Sequence, residues 1–223
     1  MQRSARRASA LQSLTDAFIP LAEATGVNAA LTDCVLQEGI RQLGTWRAQG
    51  VDLDLSVNLS PHLVRELDSP DRLAELMRAH ALVNSRLTLE ITEAALEEPV
   101  QTREILTRLR VKNFGLSLDV FGTGSSSLTQ LYRRPFNELK VDQSLGLELH
   151  QSREARTIVR SLVDLAHTLG LKVCAEGVET AAALQFLEVA GSDYVQGYYL
   201  GRPVPAEAIP AAVYGEPKLA AVG

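Results

Sequence analysis

The sequence predicts an α/β fold whose parallel strands curl toward a barrel. Three observations predict it. Short apolar runs alternate with helical patterns along nearly the whole chain, as strand–helix–strand units do. Within the runs, apolar and polar residues alternate, so each strand has one apolar and one polar face. The polar face also gains charged residues toward the C-terminal end of each strand, where a barrel enzyme keeps its site. A doubly wound sheet is covered on both faces and would read as continuous apolar runs instead.

The elements follow in order. In Leu53–Asn58, Leu53, Leu55 and Val57 share one face, and Asp54, Ser56 and Asn58 the other. Leu87–Thr92 and Leu116–Val120 repeat the alternation, with Glu90, Ser117 and Asp119 on the polar side. Glu138–Val141 places Lys140 between Leu139 and Val141. In Val173–Glu176, Glu176 shares a face with Lys172 and Cys174, and the last strand is Tyr194–Gly197. Helices are predicted over Asn28–Gln49, Pro99–Arg110, Ala155–Leu169 and Ala181–Val189. In Ala155–Leu169 the residues Ile158, Val159, Leu162, Val163, Leu165, Ala166 and Leu169 form an apolar face, and Gly170 stops the helix. No long linker interrupts the pattern. The expected organisation is an irregular arm over residues 1–17, one domain over 18–214 and a loose tail over 215–223.

Composition narrows the function. The chain has 223 residues, 46% of them hydrophobic and 22% charged, enough apolar surface for a core. Lys and Arg total 22 against 27 Asp and Glu, a net charge of −5, which argues against binding a nucleic-acid polymer. No run of about 18 apolar residues occurs, so no membrane partner is expected. Two cysteines, Cys34 and Cys174, make no disulfide framework, and a cytoplasmic location is expected. Cys34 is expected in the core, Trp46 packed against the barrel, and Cys174 is expected to be a small buried residue. His62, His80, His150 and His167 show no ligand spacing and receive no role. Glu97 and Glu98 before Pro99 suit a helix N-terminus.

The polar tips Asn58, Glu90, Asp119, Lys140, Asp142 and Glu176 come from the ends of five strands. Their carboxylate and amide oxygens are hard ligands suited to Mg²⁺ or Mn²⁺, and a cation would keep crowded carboxylates ionised. A lysine among them could orient water or neutralise a phosphate. The alternative is a set of ion pairs capping a lumen. The loop Phe121-Gly122-Thr123-Gly124 lets backbone approach a ligand closely.

These segments resemble a known family. Ser56-Val57-Asn58-Leu59-Ser60-Pro61, Leu89-Glu90-Ile91-Thr92-Glu93, Leu118-Asp119-Val120-Phe121-Gly122-Thr123-Gly124 and Leu139-Lys140-Val141-Asp142 are similar to motifs of EAL-domain cyclic-di-GMP phosphodiesterases. Ala175-Glu176-Gly177-Val178-Glu179-Thr180 and Gln196-Gly197-Tyr198 extend the resemblance, which runs from about Phe18 to Pro205. It implies a modified TIM-type (β/α)8 barrel and two-metal hydrolysis of cyclic-di-GMP to the linear dinucleotide. It implies that Asn58, Glu90, Asp119, Asp142 and Glu176 serve Mg²⁺ or Mn²⁺. Lys140 and Glu176 would act on the attacking water, Glu93 would brace the Gly122–Thr123–Gly124 loop, and Glu179 and Gln196 would support site and substrate.

Two departures shape the expectation. The family's opening strands, which carry the Glu-Ala-Leu signature, have no counterpart in the chain, so the barrel is expected to lack them. The family's Asp-Asp pair is Asp119-Val120, and valine offers no metal ligand. Ser125, Gln143 and Gly201 also differ from the family's usual residues. The resemblance then implies a catalytically impaired, cyclic-di-GMP-binding or regulatory module. The alternatives are an active phosphodiesterase and a protein-interaction module without nucleotide binding. An open barrel exposes two strand edges, so self-association or a second protein chain is an expected partner.

Overall fold

A computed structural model describes residues 28–96, 100–121 and 135–214. Six strands form one parallel sheet: β1 (Leu55–Asn58), β2 (Leu87–Thr92), β3 (Gly115–Phe121), β4 (Glu138–Val141), β5 (Lys172–Ala175) and β6 (Tyr194–Val195). Their spatial order is their chain order, β1-β2-β3-β4-β5-β6. A doubly wound sheet would reverse direction at a switch point, so sequential order is the singly wound, barrel-type arrangement that the alternation predicted. Among the described residues β1 and β6 are its edges.

Helices follow the strands: α1 (Asn28–Ala48), α2 (Ser69–Ala79), α3 (Val100–Val111), α4 (Gln143–Glu148), α5 (Arg153–Thr168), α6 (Ala181–Ala190) and α7 (Ile209–Tyr214). The outward strand residues Leu87, Leu89, Ile91, Leu116, Leu118, Leu139, Val141 and Val173 are buried beneath them. The core is therefore the layer between sheet and helices, and the opposite sheet face carries the polar residues.

Local chemistry sets the helix ends. Ser152 caps α5 by accepting from the Ala155 amide at 3.0 Å, and Thr180 caps α6 from Ala183 at 3.2 Å. The buried stripe of α5 is Ala155, Val159, Val163 and Ala166. Ile158 and Leu169, expected on that face, are 46% and 39% exposed. The predicted stripe was too wide: at 100° per residue these two fall well round the helix from Val159 and Val163. Cys34 also departs from expectation and is exposed. The inward residues of α1 are Leu36, Ile40 and Leu43, and a residue two positions before Leu36 faces nearly the other way. Trp46 is packed against the core as expected. Glu97, Glu98 and Pro99 lie outside the described residues.

The C-terminal segment returns to the start of the sheet. The Trp46 indole Nε1 donates to the Ala206 carbonyl at 3.2 Å, and the Asp52 amide donates to the Tyr214 hydroxyl at 3.2 Å.

Candidate functional site

Parallel register lays the inward residues in rows. Asn58, Glu90, Ser117, Glu138 and Lys172 are successive partners across β1 to β5. One row nearer the C-terminal ends, Thr92 pairs with Asp119, and Lys140 with Cys174 and then Tyr194. Between these halves the register shifts: Leu118 faces Leu139, but Phe121 faces Val141. Three steps along β3 thus match two along β4, a bulge at Asp119-Val120. Such bulges commonly sit beside active sites and re-aim a side chain.

Lys140 is the hub. Its ammonium donates to Glu90 Oε2 at 2.7 Å and lies 2.6 Å from Glu176 Oε1 and 4.0 Å from Asp119 Oδ1. The other Glu90 oxygen, Oε1, accepts from the Ser56 hydroxyl at 2.5 Å. Lys140 is 4% exposed and Glu90 7%. Burial alone would lower the lysine pKa, but the hydrogen bonds and charges of Glu176 and Glu90 outweigh it and hold the value above the ordinary lysine range. Lys140 is therefore a permanent cation at neutral pH.

Beside it, burial pushes the Cys174 thiol up to about 12, and the Glu138 carboxylate adds to the effect. That thiol stays protonated and unreactive. Burial also raises Glu138, and the negative charge of Glu90 acts in the same direction. Ser117 opposes the shift. The Lys140 and Lys172 charges oppose it too, and burial outweighs all three.

Glu176 follows β5, and the backbone around it is pinned from three sides. Its amide donates to Val141 O at 3.2 Å, Val178 N donates to Gln196 O at 3.1 Å, and Gln196 N donates to Ala175 O at 2.8 Å. Helix α4 presses on the same turn. A Cβ at Gly146 would stand 1.7 Å from the Glu176 carbonyl oxygen, so only glycine fits. Gly177 has φ +71°, which glycine accepts without strain, and a Cβ there would meet Gln143 O at 2.6 Å.

The structure thus gathers Glu90, Asp119, Lys140 and Glu176, four of the residues singled out in the sequence. Asn58 is the register partner of Glu90 and is exposed. Asp142 is engaged elsewhere. It caps α4, accepting from the Ser144 amide at 2.8 Å and from the Ser144 hydroxyl. Glu179 and Gln196 are exposed near the Glu176 turn. Gly122, Thr123 and Gly124 lie outside the described residues, as does the side chain of Glu93. Ser56 and Gly146 are additions. Ser56 was legible as an inward residue two before Asn58. Gly146 had no local signal, because its role arises from a contact with a turn about thirty residues later.

Glu90, Asp119 and Glu176 supply hard oxygens, so their chemistry fits a divalent cation. Their arrangement centres on the Lys140 ammonium, and among the described residues no three acidic, His or Cys side chains converge on a shared metal position. A groove of about 290 Å³ between α1 and α2, with Leu36, Leu63, Leu73 and Arg72 in its wall, shares no residue with this cluster.

Known proteins bear directly on the site. The family described as EAL domain matches residues 4–203, beginning upstream of Phe18. The bifunctional diguanylate cyclase/cyclic di-GMP phosphodiesterase MucR of Pseudomonas aeruginosa is 40% identical over 198 residues. That alignment covers 88% of this chain and 29% of MucR, so the chain spans under a third of that relative's length. The solved PaMucR phosphodiesterase in complex with c-di-GMP superposes with a TM-score of 0.80 at 40% identity, over 87% of this chain and 79% of the other. The Klebsiella pneumoniae BlrP1 structure, a calcium/cy-diGMP complex, gives 0.67 at 31% identity, over 76% of this chain and 44% of that one.

Proposed function

The chain belongs to the EAL domain family, and on that premise we propose that it is a cyclic-di-GMP-binding module of bacterial second-messenger signalling with impaired phosphodiesterase chemistry. The observation that carries the reading is Lys140, buried among Glu90, Asp119 and Glu176 at the C-terminal end of the sheet. A permanent cation ringed by hard oxygens suits a phosphodiester and a divalent ion together.

Glu90, Asp119 and Glu176 would hold Mg²⁺ or Mn²⁺, with Asn58 and the Asp142 oxygen that does not cap α4 as further donors. Such an ion, when bound, lowers the pKa of water and stabilises charge on phosphoryl oxygens. Lys140 neutralises phosphate charge from a fixed position. Ser56 holds Glu90 in one orientation, as outer hydrogen-bond partners do for ligating carboxylates. Glu179 and Gln196, exposed at the rim, present polar groups to the guanine or ribose. The Gly122–Thr123–Gly124 loop would offer backbone amides, with Glu93 as its proposed brace. Residue 120 limits the chemistry, because valine has no oxygen to give a cation. The domain unit is 18–214, flanked by the arm 1–17 and the tail 215–223. The cytoplasm is the proposed setting; among the described residues no helix is long and apolar enough to cross a membrane.

A second reading, an active phosphodiesterase, is favoured by the intact Lys140–Glu176 and Lys140–Glu90 pairs. Calorimetric titration with cyclic-di-GMP, in Mg²⁺ and again in EDTA, tests binding. Saturable heat at micromolar nucleotide supports the module; no heat from the folded chain refutes it and leaves protein interaction through the β1 and β6 edges. Turnover of cyclic-di-GMP to the linear dinucleotide in Mn²⁺ would replace impairment with the second reading. Val120→Asp is expected to strengthen Mn²⁺ binding.

A further inference from the structure

The edge strand β6 meets β5 through two register pairs, Cys174 with Tyr194 and Ala175 with Val195. Side chains extend that hold at the strand's entry. Asp193, the residue before β6, accepts from the Val173 amide through Oδ2 at 2.8 Å, one position before the first register pair. The same oxygen lies 2.9 Å from Nε2 of His167, in the last turn of α5. One carboxylate oxygen thus ties α5, β5 and the start of β6. Ser192 adds to the seam, its hydroxyl donating to Tyr194 O at 2.9 Å and to Val173 O at 3.3 Å. The sequence assigned His167 no role, because its partner stands 26 positions on.

Few charges surround the pair. From β5, Lys172 acts on the same carboxylate, and its ammonium donates to the Tyr194 hydroxyl at 2.6 Å, with Glu138 of β4 on its other side. From the end of α6 the uncharged Gly191 approaches the His167 ring: a Cβ there would stand 3.9 Å from Cε1. Asp164 on α5 and Glu188 on α6 complete the nearby helix ends, and both are exposed. Burial alone would raise the Asp193 carboxyl, but the bonds from His167 and Val173 and the positive charges beside it hold it below its ordinary value.

We propose that His167 and Asp193 form a pH-sensitive clasp that fastens the entry of β6 to β5 and α5. With the imidazole protonated, the bond joins opposite charges and is roughly twice as strong as a neutral one. With it neutral, that charge is lost and water competes for the carboxylate. The sign follows from both partners. The clasp is closed while Asp193 is ionised, above its usual 3.8, and loosens as pH rises through the ordinary histidine range, at about 6.5. Past β6 the chain runs into Gln196, whose amide donates to Ala175 O, so a loosened strand leads straight to the turn beside Glu176. The clasp does not depend on the nucleotide reading.

Hydrogen exchange of the full chain, followed by NMR at about pH 5.5 and about pH 8, on either side of that range, tests it. Protection is taken relative to the free peptide at each pH. The two side chains are 43% and 31% exposed, so water screens the pair, and the wild-type Val173 amide is expected to lose about two- to fivefold of its protection at the higher pH. The Leu116 amide, held by the Asn137 side chain away from the clasp, is expected to keep its protection. His167→Gln keeps a donor without a titrating charge, and its Val173 protection is expected to be the same at both pH values. Asp193→Asn is expected to lower Val173 protection and to remove its pH dependence. Equal wild-type protection at both pH values overturns the clasp. So does an equal loss at Val173 and Leu116, which is a change of the whole fold, and so does a wild-type pH dependence in His167→Gln. Should a variant fail to fold, the two wild-type amides decide: loss at Val173 alone supports the clasp, and any other pattern overturns it.

Discussion

The inner strands β2 to β4 and the edge strands β1 and β6 treat their inward polar residues differently. On the inner strands Glu90, Ser117 and Lys140 are 7%, 0% and 4% exposed. Glu90 and Lys140 survive there because each is matched by another charged side chain. At the edges Asn58, Tyr194 and the following Gln196 are exposed. The alternation that points all of them inward is the same. The difference lies in the neighbours: an inner strand is fenced on both sides, which keeps water from the polar groups near its middle, whereas water serves an edge. Stability and chemistry are therefore fused in the middle of the sheet and separable at its rim.

The sharpest way to break that contrast is Lys140→Met in EDTA. It leaves Glu90 buried and Glu176 half-buried without their cation and is expected to cost about 3–5 kcal/mol in urea denaturation. Unchanged stability would remove the basis for calling the centre fused. Gly146→Ala comes next. Its methyl would collide with the Glu176 carbonyl, so α4 or the turn must shift, at about 1–3 kcal/mol, and cyclic-di-GMP affinity should fall with the melting temperature. Normal affinity in this variant would show that Glu176 need not be held there.

Glu138→Gln probes the middle in the other direction. Burial raises the Glu138 pKa above its usual 4.5, so ionisation disfavours the folded state. Stability from this group is full below about 4.5 and is lost as pH rises through the folded value. The glutamine variant is therefore expected to melt higher than the wild type at pH 7, with the gap closing on acidification below pH 4.5. A gap that is constant with pH would mean that the carboxylate is not strained. At the rim the smallest stability effects are expected. Asn58→Ala and Gln196→Ala should stay within about 0.5 kcal/mol of the wild type yet weaken cyclic-di-GMP several-fold by calorimetry. A large loss of stability in either would erase the distinction between edge and centre.

Much of this was legible in the residues. β2 and β4 fall where the alternation placed them, and the other four strands differ only at their ends. Alternation is a strong signal here because one face is apolar and one polar. The helices α2, α4 and α7 leave no clear signal in the sequence. α4 and α7 are six residues each, too short for helical periodicity to show, and α2 begins with the Ser69-Pro70 pair that reads first as a turn. For the site, parity found Glu90, Asp119, Lys140 and Glu176, since each sits on an inward strand position or just beyond one. It could not foresee that Asp142, one residue past β4, spends its carboxylate on a helix cap. Nor could it find the bulge at Asp119-Val120, which is a relation between two strands rather than a property of either.

The seam between α1 and the segment that leads into α7 has a practical consequence. Trp46 is the only tryptophan among the 223 residues, and its indole is bonded to the Ala206 carbonyl, 160 positions later, with Tyr214 bonded nearby to Asp52. Unseating the C-terminal segment would expose that ring to water and redden its emission. The protein therefore carries an intrinsic fluorophore that reports from a single place, the junction where the last segment meets the first helix. Undocking of that segment can be followed optically, in the native sequence, without a label.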